Sequence, residues 1–231
     1  MIFGLAAQML GIGVVGPLYY FFHYVFSPLE IYMAPDGRST SLAYTRTVLP
    51  AMALAYYVPH FMADLAASPV TRMQWNWLWQ MFPVWVAAAQ RLAAWTRLSA
   101  DTAQHDPARD VPWLRASVAA LAALSAAVWI YVLRNAPVPL AEMFVPALDA
   151  PADLVPFLRN FVQLDHVFCF GSSFVWLVLL IRDLKVAGMT EVSWFSIVLV
   201  GVCVTVVAGP AVAVGLGWLW RENILATRGH K

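Results

Sequence analysis

The chain of 231 residues is 61% hydrophobic and only 12% charged, with a mean hydropathy of +0.69 and a formal net charge of +1. A water-soluble domain averages about 25% charged residues, so too few polar side chains remain to cover a globule in water, whereas a lipid-facing surface needs none. The charge balance excludes a nucleic-acid partner, because phosphate binding needs a clustered basic face and the 14 Lys and Arg are spread over many connections.

Six apolar runs approach the roughly 20 residues needed to cross a bilayer: 2–25, 48–66, 75–95, 113–133, 157–181 and 194–220. The expected fold is therefore all-α, a polytopic membrane bundle of about six helices forming a single domain over 1–231. The first run lacks a basic head and is too long for a signal-peptide core. Its Gly11, Gly13 and Gly16 match G-x-G-x-x-G, but that fingerprint needs a strand before it. Close helix packing explains these glycines better. Ser68, Pro69 and Thr71 form a short turn that joins the second and third runs as a helical hairpin. Residues 139–148, between the fourth and fifth runs, fit a small interfacial helix. Cys169 and Cys203 lie inside the last two runs and read as packing residues. Gly209 and Pro210 predict a kink in the middle of the sixth.

Trp75, Trp77, Trp79, Trp95, Trp113, Trp194, Trp218 and Trp220 fall near run ends, where amphipathic rings prefer the membrane interface. With six crossings, six Arg and Lys flank the side of the termini and eight the other. The positive-inside rule does not decide between those numbers.

Ionisable groups at membrane depth are costly and call for a reason. By helix direction, Asp64 at the end of the second run, Asp165 early in the fifth and Glu222 closing the sixth converge on one side. His60 precedes Asp64 by four residues, on the same helical face. Asn76 and Gln80 enter the third helix from that side, and Tyr131 leaves the fourth there. Together they predict a polar, aromatic-rimmed pocket, with Trp79 and Trp218 lining it. The bland alternative makes Asp64 and Glu222 interfacial anchors paired with arginines such as Arg159 and Arg221. His166 reads as structural, and His23 and Glu30 as boundary residues.

No DDxxD-type cluster or paired-histidine box is present, and Lys185 and Lys231 lie outside the runs. No metal or cofactor is expected on that pattern. Carboxylates, a histidine and many rings suit proton chemistry on a greasy substrate. A carboxylic acid in an apolar pocket stays protonated and acts as a general acid, aromatic faces stabilise a developing cation, and a second carboxylate or the histidine takes the last proton.

The stretches PLYYFFHYVFSPLE (17–30), VLPAMALAYYVPHFMAD (48–64), DHVFCFGSSFVWLVLLIRDLK (165–185) and GWLWRE (217–222) resemble small fungal integral membrane proteins of terpenoid and meroterpenoid biosynthesis, among them the transmembrane terpene cyclases. The resemblance implies an endoplasmic-reticulum enzyme that protonates an epoxide or alkene of a lipophilic prenylated substrate, using two intramembrane acidic residues and no metal. It also implies seven helices. Asp64 is the best match to the first acidic residue, and Glu222 or Asp165 to the second. Two alternatives remain open at this point: a small transporter or hydrophobic-ligand binder, and a sterol-like double-bond isomerase.

Overall fold

The computed structural model describes residues 1–33, 42–95, 110–147 and 153–228, and among them every regular element is helical. Among the described residues two helices are long and apolar enough to cross a membrane, α8 (Val111–Arg134) and α10 (Leu154–Val186), fewer than the six crossings expected. The other apolar runs are cut into shorter helices by glycine and proline, and each cut has a local cause.

The first run is α1 (Ile2–Leu10) and α2 (Ile12–Phe26), separated by Gly11 at φ 90° and ψ 144°. Only glycine occupies that region without strain. The chain folds back there: Phe3, eight residues before Gly11, meets Tyr19, eight residues after it, with ring centroids 5.3 Å apart. A short α3 (Leu29–Met33) follows α2.

The second run is a rod of α4 (Leu42–Met52), a π-helical turn at Ala53–Tyr57, and α5 (Val58–Leu65). Pro50 and Pro59 flank the turn; each lacks an N–H and crowds the carbonyl four residues back, and a π-turn absorbs the mismatch. The third run is α6 (Pro69–Gln80) and α7 (Phe82–Trp95), interrupted at Met81. As the Ser68–Thr71 turn predicts, the two rods pair antiparallel. Tyr56 reaches Phe82 at 4.7 Å near the middle, and Gln90 donates to the Tyr44 carbonyl at 3.3 Å at the far end. The expected small helix between α8 and α10 is α9 (Leu140–Phe144).

The last run corrects the sequence reading most. It is two helices, α11 (Trp194–Ala208) and α12 (Pro210–Arg228), with Gly209 between them at φ 97° and ψ 157°, nearly the conformation of Gly11. Ile197, near the start of α11, packs on the same Trp176–Ile181 cluster as Trp218 and Trp220, late in α12. The helices therefore form a hairpin. Gly209 has the left-handed freedom for a reversal, Pro210 supplies a first helical residue that needs no N–H donor, and a Cβ at Gly209 would lie 3.1 Å from the Trp129 ring. Gly209 and Pro210 mark a reversal of direction where the sequence predicts a kink.

These pairings define two ends of the bundle. α2 and α10 run parallel, Gly13 beside Asp165 and Tyr24 beside Asp183. α8 runs antiparallel to α12, from Arg115 on Asn223 to the Trp129 indole on the Val206 carbonyl beside the turn. One end thus gathers the Gly11 and Gly209 turns, the α5–α6 turn and α9. The other gathers the close of α2, α7, α10 and α12 and the start of α4 and α8.

Candidate active site

The π-turn and α5 bring Tyr56, His60 and Asp64 onto one stripe at four-residue spacing. His60 Nε2 lies 4.0 Å from Asp64 Oδ2, with the two side chains 40% and 69% exposed. The imidazole is framed by rings: Trp79 at 5.4 Å, Phe61 at 5.6 Å and Tyr56, nearly parallel to it, at 6.0 Å. Phe82 closes the cluster against Tyr56 and against Trp79, the latter at 6.1 Å. Trp79 Nε1 is buried and has no hydrogen-bond partner among the described residues. A buried donor of that kind carries a desolvation cost that a ligand acceptor relieves. On the adjoining face of the rod, Tyr57 and Phe61 line an apolar groove of about 390 Å³ closed by Ala120, Leu121 and Leu124 of α8.

His60, Asp64 and Trp79 are thus brought together as the sequence predicts. Asn76 and Gln80 are exposed on α6, and Tyr131 is exposed near the end of α8. Tyr56, Tyr57, Phe61 and Phe82 escaped the sequence reading. The spacing of Tyr56, His60 and Asp64, four and four, is the signal that picks out Tyr56.

The other two carboxyls lie elsewhere. Asp165 Oδ1 accepts the Gly13 backbone N–H at 2.5 Å, and a Cβ at Gly13 would come 2.7 Å from the Asp165 backbone. The carboxylate caps the first turn of α2, where exposed N–H groups and the helix dipole favour a negative charge. Glu222 pairs with Arg221 at 2.6 Å, their side chains 10% and 3% exposed. Because α12 reverses at Gly209, Glu222 reaches the end of the bundle opposite Asp64. The expected meeting of three carboxyls on one side does not occur.

Between α2 and α10 stands a second polar group. The Trp176 indole donates to His23 Nδ1 at 3.2 Å, which leaves the imidazole proton on Nε2. Tyr20 lies 4.9 Å from the Trp176 ring, and Trp218 packs on the same cluster. His23, read from the sequence as a boundary residue, is a packed member of this interface. His166, read as structural, packs in a tilted arrangement 4.8 Å from Phe170 and 6.1 Å from Phe144 of α9.

The CtvD domain family matches residues 1–226. The chain belongs to the CtvD domain family. Its sequence is 37% identical over 237 residues to the FAD-dependent monooxygenase verC1 of Penicillium polonicum, covering 100% of this chain and 29% of that protein. The FAD-dependent monooxygenase anuJ of Penicillium roqueforti is 33% identical over 96% of this chain and 28% of its own length. A third, BOA8 of Botryotinia fuckeliana, is 30% identical over 98% of this chain and 30% of its own length. This CtvD-domain chain therefore spans about three tenths of the curated relatives it matches. All three relatives are fungal, as the resemblance implies. No solved structure matches.

Proposed function

We propose that this CtvD-domain chain is a membrane-embedded acid–base enzyme that opens an epoxide, or protonates an alkene, of a lipophilic substrate and cyclises it through cationic intermediates. The observation that carries the reading is the His60–Asp64 pair set among Tyr56, Phe61, Trp79 and Phe82. In this proposal Asp64, assisted by His60, gives a proton to the epoxide oxygen as its C–O bond breaks. A substrate alkene closes the ring onto the released carbon, and the rings steady the resulting positive charge, each by about 2 kcal/mol when desolvated. The pair takes back the proton that the last cation sheds, since Asp165 is engaged in capping α2 and Glu222 in its bond to Arg221.

The relatives support an oxygenated substrate. They are named as FAD-dependent monooxygenases, and a flavin oxygenase acting on an alkene yields the epoxide that acid chemistry then opens. Dinucleotide-binding folds use a βαβ unit, whereas the described residues here form helices only. That favours reading the chain as a unit distinct from the flavin site of its relatives. A bilayer setting is supported by the length of α8 and α10 and by outward-facing Phe21, Leu54, Trp77, Val155, Phe195 and Val207; the endoplasmic reticulum is part of the proposal and comes from the family resemblance alone.

The test is expression with an epoxidised prenyl substrate and NMR assignment of the product, which separates ring closure from a double-bond shift of equal mass. A new ring formed by the unaltered chain and lost in Asp64→Asn supports the reading. Unchanged product in both Asp64→Asn and His60→Gln refutes it.

A second reading, a binder of hydrophobic molecules, draws on the apolar groove of about 660 Å³ between α10, α11 and α12, lined by Leu177, Ile181, Val200, Leu216 and Trp220. It is favoured if ligand is bound there and recovered chemically unaltered.

A further inference from the structure

We infer that the end of the bundle where α2, α7, α10 and α12 finish faces the cytosol and its anionic lipid leaflet, so that the C-terminal end of α12 emerges there. The inference rests on the membrane reading of the proposed function and is independent of the chemistry.

The Gly209 reversal is what makes the orientation readable. Were residues 194–220 one helix, Arg221 and Arg228 would sit at the end holding Arg72, Arg134 and Arg159, and the described basic residues would divide evenly. With α12 turned back, both move to the end that already holds Arg46, Arg91, Arg115, Arg182 and Lys185. Each is located by a contact or by its helix. Arg46 lies over the Trp113 ring at 5.4 Å, Arg115 bonds Asn223 at 2.7 Å, and Arg182 bonds the Tyr24 hydroxyl at 3.0 Å. Lys185 donates to the Val192 carbonyl beside the Trp194 ring, and Arg91 adjoins Gln90, which bonds Tyr44.

Setting aside Arg221, which is buried against Glu222, six basic residues remain at this end. The opposite end has three, Arg72, Arg134 and Arg159; both ends hold paired cations, Arg159 with Glu142 at 2.7 Å and Arg182 with Asp183 at 3.2 Å, so the ends differ in number. Basic residues close to membrane helices stay on the cytoplasmic side, and acidic residues weigh little in that choice. Anionic headgroups of the cytoplasmic leaflet then attract the same arginines.

The test uses the full chain in endoplasmic-reticulum microsomes. Its own asparagines, Asn76, Asn135, Asn160 and Asn223, are not followed by the Asn-X-Ser/Thr acceptor pattern, so glycosylation reports only on added sites. One version carries an acceptor in a C-terminal extension, another in an insertion between Asn135 and Pro139. We expect the insertion to be glycosylated and the extension not, because α10 runs from one end of the bundle to the other between them and the α11–α12 hairpin returns to the end it leaves. The reverse pattern overturns the orientation. The same result at both sites, as one helix over 194–220 would give, overturns the hairpin on which the orientation rests. A C-terminal tag without any insertion gives an independent reading: antibody staining after permeabilising the plasma membrane alone is expected, and staining only after all membranes are opened refutes the proposal. Resistance of the chain to alkaline carbonate extraction is read in parallel, so failure of the membrane reading is distinguished from failure of the orientation.

Discussion

Asp64, at the close of α5, and Glu222, in the second half of α12, lie in regions that treat charge in opposite ways. In the α4–α7 hairpin the His60–Asp64 pair is loose, at 4.0 Å, and partly exposed, with rings framing the imidazole. In the α2–α10–α12 interface the Arg221–Glu222 pair is tight, at 2.6 Å, and almost wholly enclosed. A charge whose bonds are already made holds helices together and has little left to offer a substrate. A half-satisfied pair beside the Trp79 indole N–H, which has no hydrogen-bond partner among the described residues, keeps protons and donors in reserve.

The largest expected effect tests the loose pair. Asp64→Asn and His60→Gln each remove one member of the acid–base couple, and turnover of an epoxidised substrate should fall by about 10²- to 10⁴-fold. Exposed substitutions of this kind normally change stability by less than about 0.5 kcal/mol, so the thermal midpoint in detergent should stay put. A fall in midpoint with activity per folded molecule unchanged would mean that the pair is structural and the contrast with Glu222 false.

Glu222→Gln should show the opposite signature. Breaking a buried ion pair strands the other charge, at a cost of about 3 to 5 kcal/mol. Loss of folded protein, measured by denaturation in detergent, should therefore account for any loss of product. Replacing both partners with apolar residues, Arg221→Met with Glu222→Leu, should recover much of the stability, because no orphaned charge remains. If the double variant is stable yet inactive, Glu222 belongs to the chemistry after all.

The glycine corners come next in size. Gly11→Ala and Gly209→Ala each force a side chain into a backbone region that costs about 1 to 3 kcal/mol. At both corners the added methyl also meets a neighbour, Asp165 Oδ1 at 2.7 Å for Gly11 and the Trp129 ring at 3.1 Å for Gly209, so the two losses should be comparable. Circular dichroism during detergent titration reads the loss, and an unaltered midpoint in both would mean that the corners relax without cost.

These corners also explain what the sequence concealed. Hydropathy reads composition, and residues 2–25 and 194–220 are apolar throughout, so each looks like one span although a single glycine at positive φ folds it in two. Pro210 marked the correct place, but proline and glycine in a row announce an interruption without its angle. The Ser68–Thr71 turn was legible because polar, turn-forming residues stand between two apolar runs. His60, Asp64 and Trp79 were legible as a site because helical spacing and a tight turn determine which faces meet. Glu222 was misplaced because its location depended on counting crossings, and one unseen reversal inverts that count.

The smallest effect concerns Asp165, whose two roles make different demands on one atom. As the cap of α2 it needs an acceptor oxygen aimed at the Gly13 N–H, and asparagine supplies one almost as well as aspartate. Only the attraction between the charge and the helix dipole is lost, about 0.3 to 1 kcal/mol. As a proton acceptor it needs the carboxylate itself, which asparagine lacks. Asp165→Asn should therefore stay within about 1 kcal/mol of the parent by denaturation and keep its turnover, whereas Asp165→Ala should lose about 0.5 to 2 kcal/mol through the missing cap. Turnover that collapses in Asp165→Asn while the fold holds would move Asp165 from the scaffold into the reaction, and with it the contrast between satisfied and unsatisfied carboxylates would fail.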